Sequence, residues 1–227
     1  MYVRRAVVPL ALVVLAAGCS DAVGPHSSAV QQPTGQPHFL TWAGGVRPTF
    51  TAVGAAGEGG GDGNVAFNIS AAGILGLDVY QASFWAVRGE QRSVQINYVG
   101  AAADADRPFL RLSNVDPVFV PGVGDLALGD SVLISVTIDP IMIRVSLEPT
   151  GLLFMGSTQL DLSYSGAGGD LNGDGVVDAT DAAIESQLLG IWYLDDLTWT
   201  KTATAPSLET RSFSTELLRF SDYAVSW

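Results

Sequence analysis

The stretch Ser131-Val132-Leu133-Ile134-Ser135-Val136-Thr137-Ile138 decides the fold class, because most of its residues are β-branched. Such residues favour extended backbone that packs on a pleated surface. Similar short runs lie before and after it, joined by Pro and Gly, at residues 81–88, 93–99, 109–112, 143–147, 159–164, 191–193, 197–200, 214–220 and 223–227. This spacing predicts an all-β protein with an antiparallel β-sandwich.

One turn, one loop and one further pair of strands follow from the same pattern. Gly89-Glu90 is predicted to form a hairpin turn between the runs 81–88 and 93–99. A first short strand is expected around Phe50 and another at 65–69, separated by a flexible Gly-rich loop over 54–64. No Lys-Ser/Thr pair follows this loop, so it lacks the signature of a phosphate-binding loop.

One polar segment interrupts the strands between residues 164 and 191. It reads Asp170-Leu171-Asn172-Gly173-Asp174-Gly175-Val176-Val177-Asp178-Ala179-Thr180-Asp181. If the first residue is position one of a twelve-residue calcium loop, oxygen-bearing side chains occupy positions one, three, five, nine and twelve: Asp170, Asn172, Asp174, Asp178 and Asp181. Position seven, Val176, needs only its backbone carbonyl, and Gly175 occupies the sharp turn at position six. Four clustered carboxylates repel one another unless a cation neutralises them, so the sequence predicts a calcium site.

The residues after the loop predict how it joins the sheets. A helix is expected over 182–189, ended by Gly190, which places the loop and helix as an insertion at 166–190. Val177, Ile184 and Leu188 are expected to pack on the sheet. The alternative is an Asp/Gly-rich surface turn that holds no ion.

The N-terminal residues have the pattern of an export signal. Arg4 and Arg5 precede an apolar run, and Leu15-Ala16-Ala17-Gly18-Cys19 is similar to the cleavage site of bacterial lipoproteins. Residues 1–19 are therefore predicted to be a signal peptide, with Cys19 lipidated and holding the protein on a membrane. The residue after the cysteine is Ser20, which resembles the pattern of lipoproteins that are sorted to the outer membrane. The alternatives are a plain cleaved signal and an uncleaved anchor.

Composition separates a tether from a folded domain and excludes several functions. Residues 20–37 are rich in Gly, Pro, Ser and Gln and are expected to be a disordered tether, which leaves 38–227 for the sandwich. The net charge of −12 makes nucleic acid a poor partner. No His follows His38 and no Cys follows Cys19, which excludes Ser–His–Asp, Cys–His and His-ligated zinc sites from the domain. The remaining carboxylate pairs, Asp195-Asp196 and Asp104/Asp106, are poor acid/base couples, so no catalytic residue is predicted.

Residues 80–227 resemble a ZU5-type β domain. The resemblance lies in Glu148-Pro149-Thr150-Gly151-Leu152-Leu153-Phe154, in the following run 159–164, and in the ending Arg219-Phe220-Ser221-Asp222-Tyr223-Ala224-Val225-Ser226-Trp227. That ending is similar to those of bacterial ZU5-like lipoproteins. The Asn-Gly-Asp-Gly and Ala-Thr-Asp segments of the loop resemble one half of a dockerin repeat, and only one such segment occurs in the chain.

Three functions remain open. The first is a lipid-anchored, non-enzymatic interaction or assembly module at the cell envelope, with a structural calcium and a possible protein partner at the surface. The second is a dockerin-like module that docks on a cohesin-type partner. The third is a carbohydrate-binding or glycosidase domain that would use the aromatic residues Trp85, Trp192, Trp199 and Trp227; it is less favoured, because aromatic residues of a sandwich usually belong to its core and edges.

Overall fold

Alternating apolar residues form the strands of this protein, as Ser131–Ile138 shows. In the computed structural model, which describes residues 36–55, 80–99 and 107–227, this stretch is one uninterrupted strand. Its residues Ile134, Val136 and Ile138 are buried, whereas Leu133, just before Ile134, is exposed. The predicted signal peptide, Cys19, most of the tether, the strand at 65–69 and the pair Asp104/Asp106 lie outside the described residues.

Fifteen strands are described. In chain order they are β1 (Phe50–Ala55), β2 (Tyr80–Val87), β3 (Arg92–Tyr98), β4 (Pro108–Val115), β5 (Pro117–Val120), β6 (Gly124–Asp125), β7 (Ser131–Ile138), β8 (Arg144–Glu148), β9 (Leu153–Phe154), β10 (Gln159–Ser163), β11 (Gly190–Asp195), β12 (Thr198–Lys201), β13 (Ala205–Ser207), β14 (Ser212–Glu216) and β15 (Asp222–Ser226). One six-stranded sheet has the order β1-β3-β4-β10-β14-β13, and a second has the order β12-β11-β15-β8-β7-β2. Strands β6, β5 and β9 form a small third sheet.

The two large sheets face each other across one apolar core. Leu110 and Leu162 of the first sheet, with Ile134 and Val145 of the second, are fully buried in the same cluster. Each such side chain contributes about 2 kcal/mol by leaving water. All pairs among the fifteen described strands are antiparallel, so the predicted all-β antiparallel sandwich is confirmed.

Residues 38–42 form a short strap that completes the second sheet. Its bridges join Phe39 to Ser226 and Thr41 to Met142. The side chains of Leu40 and Trp42 enter the core, and the Trp42 indole N–H donates to the carbonyl of Asp139 at 3.0 Å. The Trp42 ring also contacts Phe50 and Phe109, so the strap covers one end of the core.

The hairpin predicted at Gly89-Glu90 is wrong. Strand β2 pairs with β7 in the second sheet, whereas β3 pairs with β1 and β4 in the first, so the chain crosses between sheets there. Asp116 holds this crossing, because its carboxylate accepts a hydrogen bond from the Gly89 amide at 2.8 Å and pairs with Arg88 at 3.0 Å. A long-range ion pair therefore redirects a turn that local sequence marks as a hairpin.

The described residues contain one short α-helix, α1 (Ala179–Ala183), which continues into a π-helical turn, Ile184–Leu188. The predicted helix of 182–189 thus starts earlier, because Asp178 and Asp181 form a capping box at its N-terminus. Gly190 does not end the helix; it is the first residue of β11. No helix in the described ranges has the length and apolar character needed to cross a membrane.

Candidate metal site

The polar loop starts from a tightly packed root. After β10, a 3₁₀ turn at Ser165–Ala167 passes beneath the strap. A Cβ added to Gly166 would lie 2.9 Å from the Trp42 ring atom Cζ3, so only glycine fits there without a shift of the indole. The root of the loop therefore lies directly against the N-terminal strap.

Asp170 organises the first half of the loop. Its Oδ1 accepts a hydrogen bond from the Gly173 amide and its Oδ2 accepts one from the Gly175 amide, each at 2.8 Å. Both glycines have positive φ, 77° and 86°, a conformation that disfavours residues with a Cβ. The chain consequently turns around the Asp170 carboxylate, as the sequence predicts for position six.

Asn172 and Asp174 are joined to each other. The Asn172 Oδ1 accepts from the Asp174 amide at 3.0 Å, and the Asn172 Nδ2 donates to the Asp174 Oδ2 at 2.9 Å. The Asp174 Oδ1 in turn accepts from the Val176 amide at 2.8 Å. These residues therefore stand in successive Asx turns on the exposed side of the loop.

Asp181 closes the loop from its far end. Asp181 is only 3% exposed. Its carboxylate accepts hydrogen bonds from three backbone amides: Leu171 at 2.7 Å, Asn172 at 3.2 Å and Asp178 at 2.9 Å. The hydrogen bond from the Asp178 amide is the main reason that the pKa of Asp181 lies below its ordinary value, and the Leu171 and Asn172 amides lower it further against the opposing effect of burial. The carboxylate of the last residue thus holds the backbone near the start of the segment.

The residue that pins the loop to the core is Leu171, not Val177 as predicted. Leu171 is 7% exposed and belongs to the core cluster, whereas Val177 is 70% exposed and its methyl groups face Gly169. The prediction assumed that Val177, at position eight of the loop, faces inward. Here the three hydrogen bonds from backbone amides to Asp181 turn Leu171, at position two, inward instead. Ile184 is buried in the core, and Leu188 packs against it, as predicted.

Polar contacts fix the helical segment to the sheets, and sequence reasoning did not identify these residues. The Arg211 Nε donates to the Glu185 carboxylate at 2.9 Å, and its guanidinium lies 5.0 Å from the centre of the Tyr164 ring. The Lys201 amine donates to the Leu188 carbonyl at 2.5 Å, and burial lowers the pKa of this amine. Their partners are distant in sequence, and no local pattern signals them.

The donor chemistry of the loop suits a hard cation. Asp170, Asn172, Asp174 and Asp178 supply side-chain oxygens, Val176 can supply its carbonyl, and an oxygen that accepts one hydrogen bond keeps a second lone pair. In the arrangement described, these side-chain oxygens accept hydrogen bonds from the loop's own backbone amides. Across residues 36–55, 80–99 and 107–227, no three His, Cys, Asp or Glu side chains form a group placed to hold a metal ion. Calcium binding therefore stays a prediction.

The other candidate residues have contacts of their own. Trp192 is 4% exposed and donates its indole N–H to the Ser226 carbonyl, while Trp199 packs edge-on against Phe39. Trp227 stacks on His38, and Trp85 is half-exposed at the edge strand β2. Asp195 pairs with Arg219, while Asp196 is exposed in the turn to β12.

Comparison with models of protein families, with curated proteins and with solved structures gave no match to this chain.

Proposed function

We propose that this protein is an exported, lipid-anchored component of a bacterial cell envelope, whose β-sandwich carries a structural calcium ion in the loop 170–181. Cys19 would carry the lipid, and Ser20 after it favours sorting to the outer membrane. The domain would serve as a non-enzymatic interaction or assembly module. The resemblance of residues 80–227 to ZU5-type lipoproteins is one part of this proposal. The observation that carries it is the twelve-residue loop itself, with oxygen side chains at the calcium-ligand positions.

The attachment of the loop supports a structural role for the ion. The loop and helical segment connect β10 of one sheet to β11 of the other. Leu171 and Ile184 anchor both ends of this connection in the core. An ion that binds the folded loop, and not the unfolded chain, would therefore stabilise the whole sandwich.

A dockerin-like role has less support. Ile184 and Leu188 use the apolar side of the helical segment for packing against the core of the same chain. A saccharide platform is likewise weakened, because Trp192 is buried and Trp199 contacts Phe39. A test of saccharide binding through Trp192→Ala would mainly report loss of packing.

Thermal unfolding with calcium and with chelator tests the metal site. At a hundredfold excess over its Kd, one calcium ion adds about 2.7 kcal/mol, which raises the Tm of a domain of this size by roughly 5–10 °C. Asp174→Ala should abolish the calcium-dependent shift. Asp125→Ala, which changes an exposed carboxylate in β6, should retain it. An identical Tm for wild type in calcium and in chelator would remove the calcium site from the proposal.

Fractionation of cells tests the anchor. Wild-type protein should partition with membranes and into detergent, while Cys19→Ala should lose this partitioning because it lacks the acceptor for lipid. Membrane association that survives the substitution would contradict lipidation at Cys19.

A further inference from the structure

The bond between Asn172 and Gly173 lies on the exposed side of the loop, and the loop geometry itself requires the glycine. Gly173 has a φ of 77°, and a Cβ built there would meet no other atom within 4 Å. Asparagine followed by glycine is the pair in which nothing shields the asparagine carbonyl carbon from the next backbone nitrogen. We propose that Asn172 is a site of spontaneous deamidation whose rate is set by opening of the loop.

Three hydrogen bonds oppose this reaction while the loop is closed. The Gly173 N–H, the nucleophile after it loses its proton, donates to Asp170 Oδ1 at 2.8 Å. The Asn172 Oδ1 is held by the Asp174 amide, and its Nδ2 is held by the Asp174 carboxylate. The side chain must leave both of these partners before its carbonyl carbon can approach the Gly173 nitrogen. Opening of the loop is therefore the step that permits ring closure.

The chemistry needs only water. The Gly173 nitrogen attacks the Asn172 Cγ, a new C–N bond forms, and the Cγ–Nδ2 bond breaks. Nδ2 leaves as ammonia with the proton taken from the Gly173 nitrogen, which gives a five-membered succinimide. Water then opens the ring at Cγ to give aspartate, or at the main-chain carbonyl carbon to give isoaspartate. The net change is asparagine plus water to acid plus ammonia, without oxidation or reduction.

Either product changes the loop. Aspartate adds a carboxylate between Asp170 and Asp174, where like charges repel. Isoaspartate adds a methylene group to the main chain, which shifts the Gly173 and Gly175 amides relative to the Asp170 oxygens that they contact. Isoaspartate is the more disruptive product, because the amides of Gly173 and Gly175 both donate to the Asp170 carboxylate and both would be displaced from it.

Peptide mapping after prolonged incubation in mildly alkaline buffer tests the site. The readout is the mass increase produced when NH₂ is replaced by OH, together with isoaspartate content. Asn97 and Asn114 serve as controls within the same chain, because Asn97 is buried and Asn114 precedes the β-branched Val115. Asn172 should react at least about tenfold faster than both, since a loop opens far more often than a core strand. Isomerisation at Asp174-Gly175 also gives isoaspartate but causes no mass change, so the mass increase is the readout that assigns the reaction to Asn172.

Variants separate local opening from unfolding. Asp170→Ala removes the acceptor of the Gly173 and Gly175 amides and should speed the reaction at Asn172 about tenfold, with Asn97 unchanged. Asp125→Ala should leave the rate unchanged. Asn172→Ser should abolish the mass increase in this peptide. A rate at Asn172 no higher than at Asn97 and Asn114 would overturn the proposal, as would a rate insensitive to Asp170→Ala.

The calcium arm of the experiment rests on the proposed function. Calcium at a hundredfold excess over its Kd should slow the reaction about a hundredfold by holding the loop closed. Fast reaction at Asn172 that calcium does not slow would support the deamidation site and count against the calcium site alone. Failure of the deamidation proposal and failure of the calcium proposal therefore give different results.

Discussion

At the scale of single residues, two tyrosines near the root of the loop have opposite hydrogen-bond status. The Tyr98 hydroxyl donates to the Ser163 carbonyl at 3.2 Å. Tyr164 is fully buried between Phe213 and Arg211, and within the described ranges no partner meets hydrogen-bond geometry with its hydroxyl, although the Glu185 carboxylate lies near it. A satisfied hydroxyl contributes stability, whereas a buried unsatisfied one costs free energy.

This contrast predicts opposite effects of the same substitution. Tyr98→Phe should lower the free energy of unfolding by about 1 kcal/mol, while Tyr164→Phe should leave it unchanged or raise it by about 1 kcal/mol. Urea unfolding at neutral pH measures both. A loss for Tyr164→Phe as large as that for Tyr98→Phe would show that the Tyr164 hydroxyl has a partner in solution.

At the scale of elements, the loop and its helical segment are held by contacts that lie far apart in sequence. Ile184 is buried in the core, and Glu185 beside it pairs with Arg211 from the chain just before β14. Val177, at the top of the loop, faces solvent. Leu171 and the helical segment, rather than the apolar pair Val176-Val177, therefore carry the packing energy of the insertion.

Substitutions on the two sides should differ accordingly. Ile184→Ala removes a buried side chain and should cost about 2–4 kcal/mol, whereas Val177→Ala should change stability by less than about 0.5 kcal/mol. Chemical denaturation of both variants in chelator isolates packing from any effect of calcium. Equal losses at the two positions would contradict the orientation of the segment.

Sequence predicted the elements well where one local pattern dominates. The strand Ser131–Ile138 agrees with its prediction because its inward positions are all apolar, and the turn at Gly175 agrees because a positive φ selects glycine. The errors arise where distant residues decide. Asp116 redirects the chain after β2, and the amide bonds to Asp181 turn Leu171 inward in place of Val177. The small sheet of β5, β6 and β9 gave no signal, since two of its strands have only two residues.

At the scale of the whole molecule, one end of the sandwich gathers the features that matter for the proposed function. The strap 38–42, the root at Ser165–Ala167 and the start of β11 meet there: Trp42 lies against Gly166, and Phe39 and Gly190 both pair with Ser226. The tether is expected to join the domain at this end.

Buried tyrosines in different parts of the sandwich link its stability to alkaline pH. Burial is the main cause of a raised pKa at Tyr98, Tyr164 and Tyr223; at Tyr164 the nearby Glu185 carboxylate adds to it, and the pKa is raised to about 12. In the unfolded chain these phenols ionise near the ordinary value of 10.0. Because the folded pKa values are raised, the associated stability is fully present below pH 10 and is lost as the pH rises through the folded values.

The free energy of unfolding should therefore fall steeply above pH 10. For Tyr164 alone the loss reaches about 2 kcal/mol by pH 12, since each unit of pKa difference corresponds to about 1.4 kcal/mol and the folded phenol is itself half ionised at that pH. Tyr164→Phe removes this contribution, so its stability curve should fall less steeply than that of wild type between pH 10 and 12, and the two curves should diverge in favour of the variant. Urea unfolding across this range, with reversibility checked by return to neutral pH, gives the measurement. Parallel curves would mean that the Tyr164 hydroxyl reaches solvent in the folded protein, and the packing of Arg211 over its ring would then have to be more open than the structure describes.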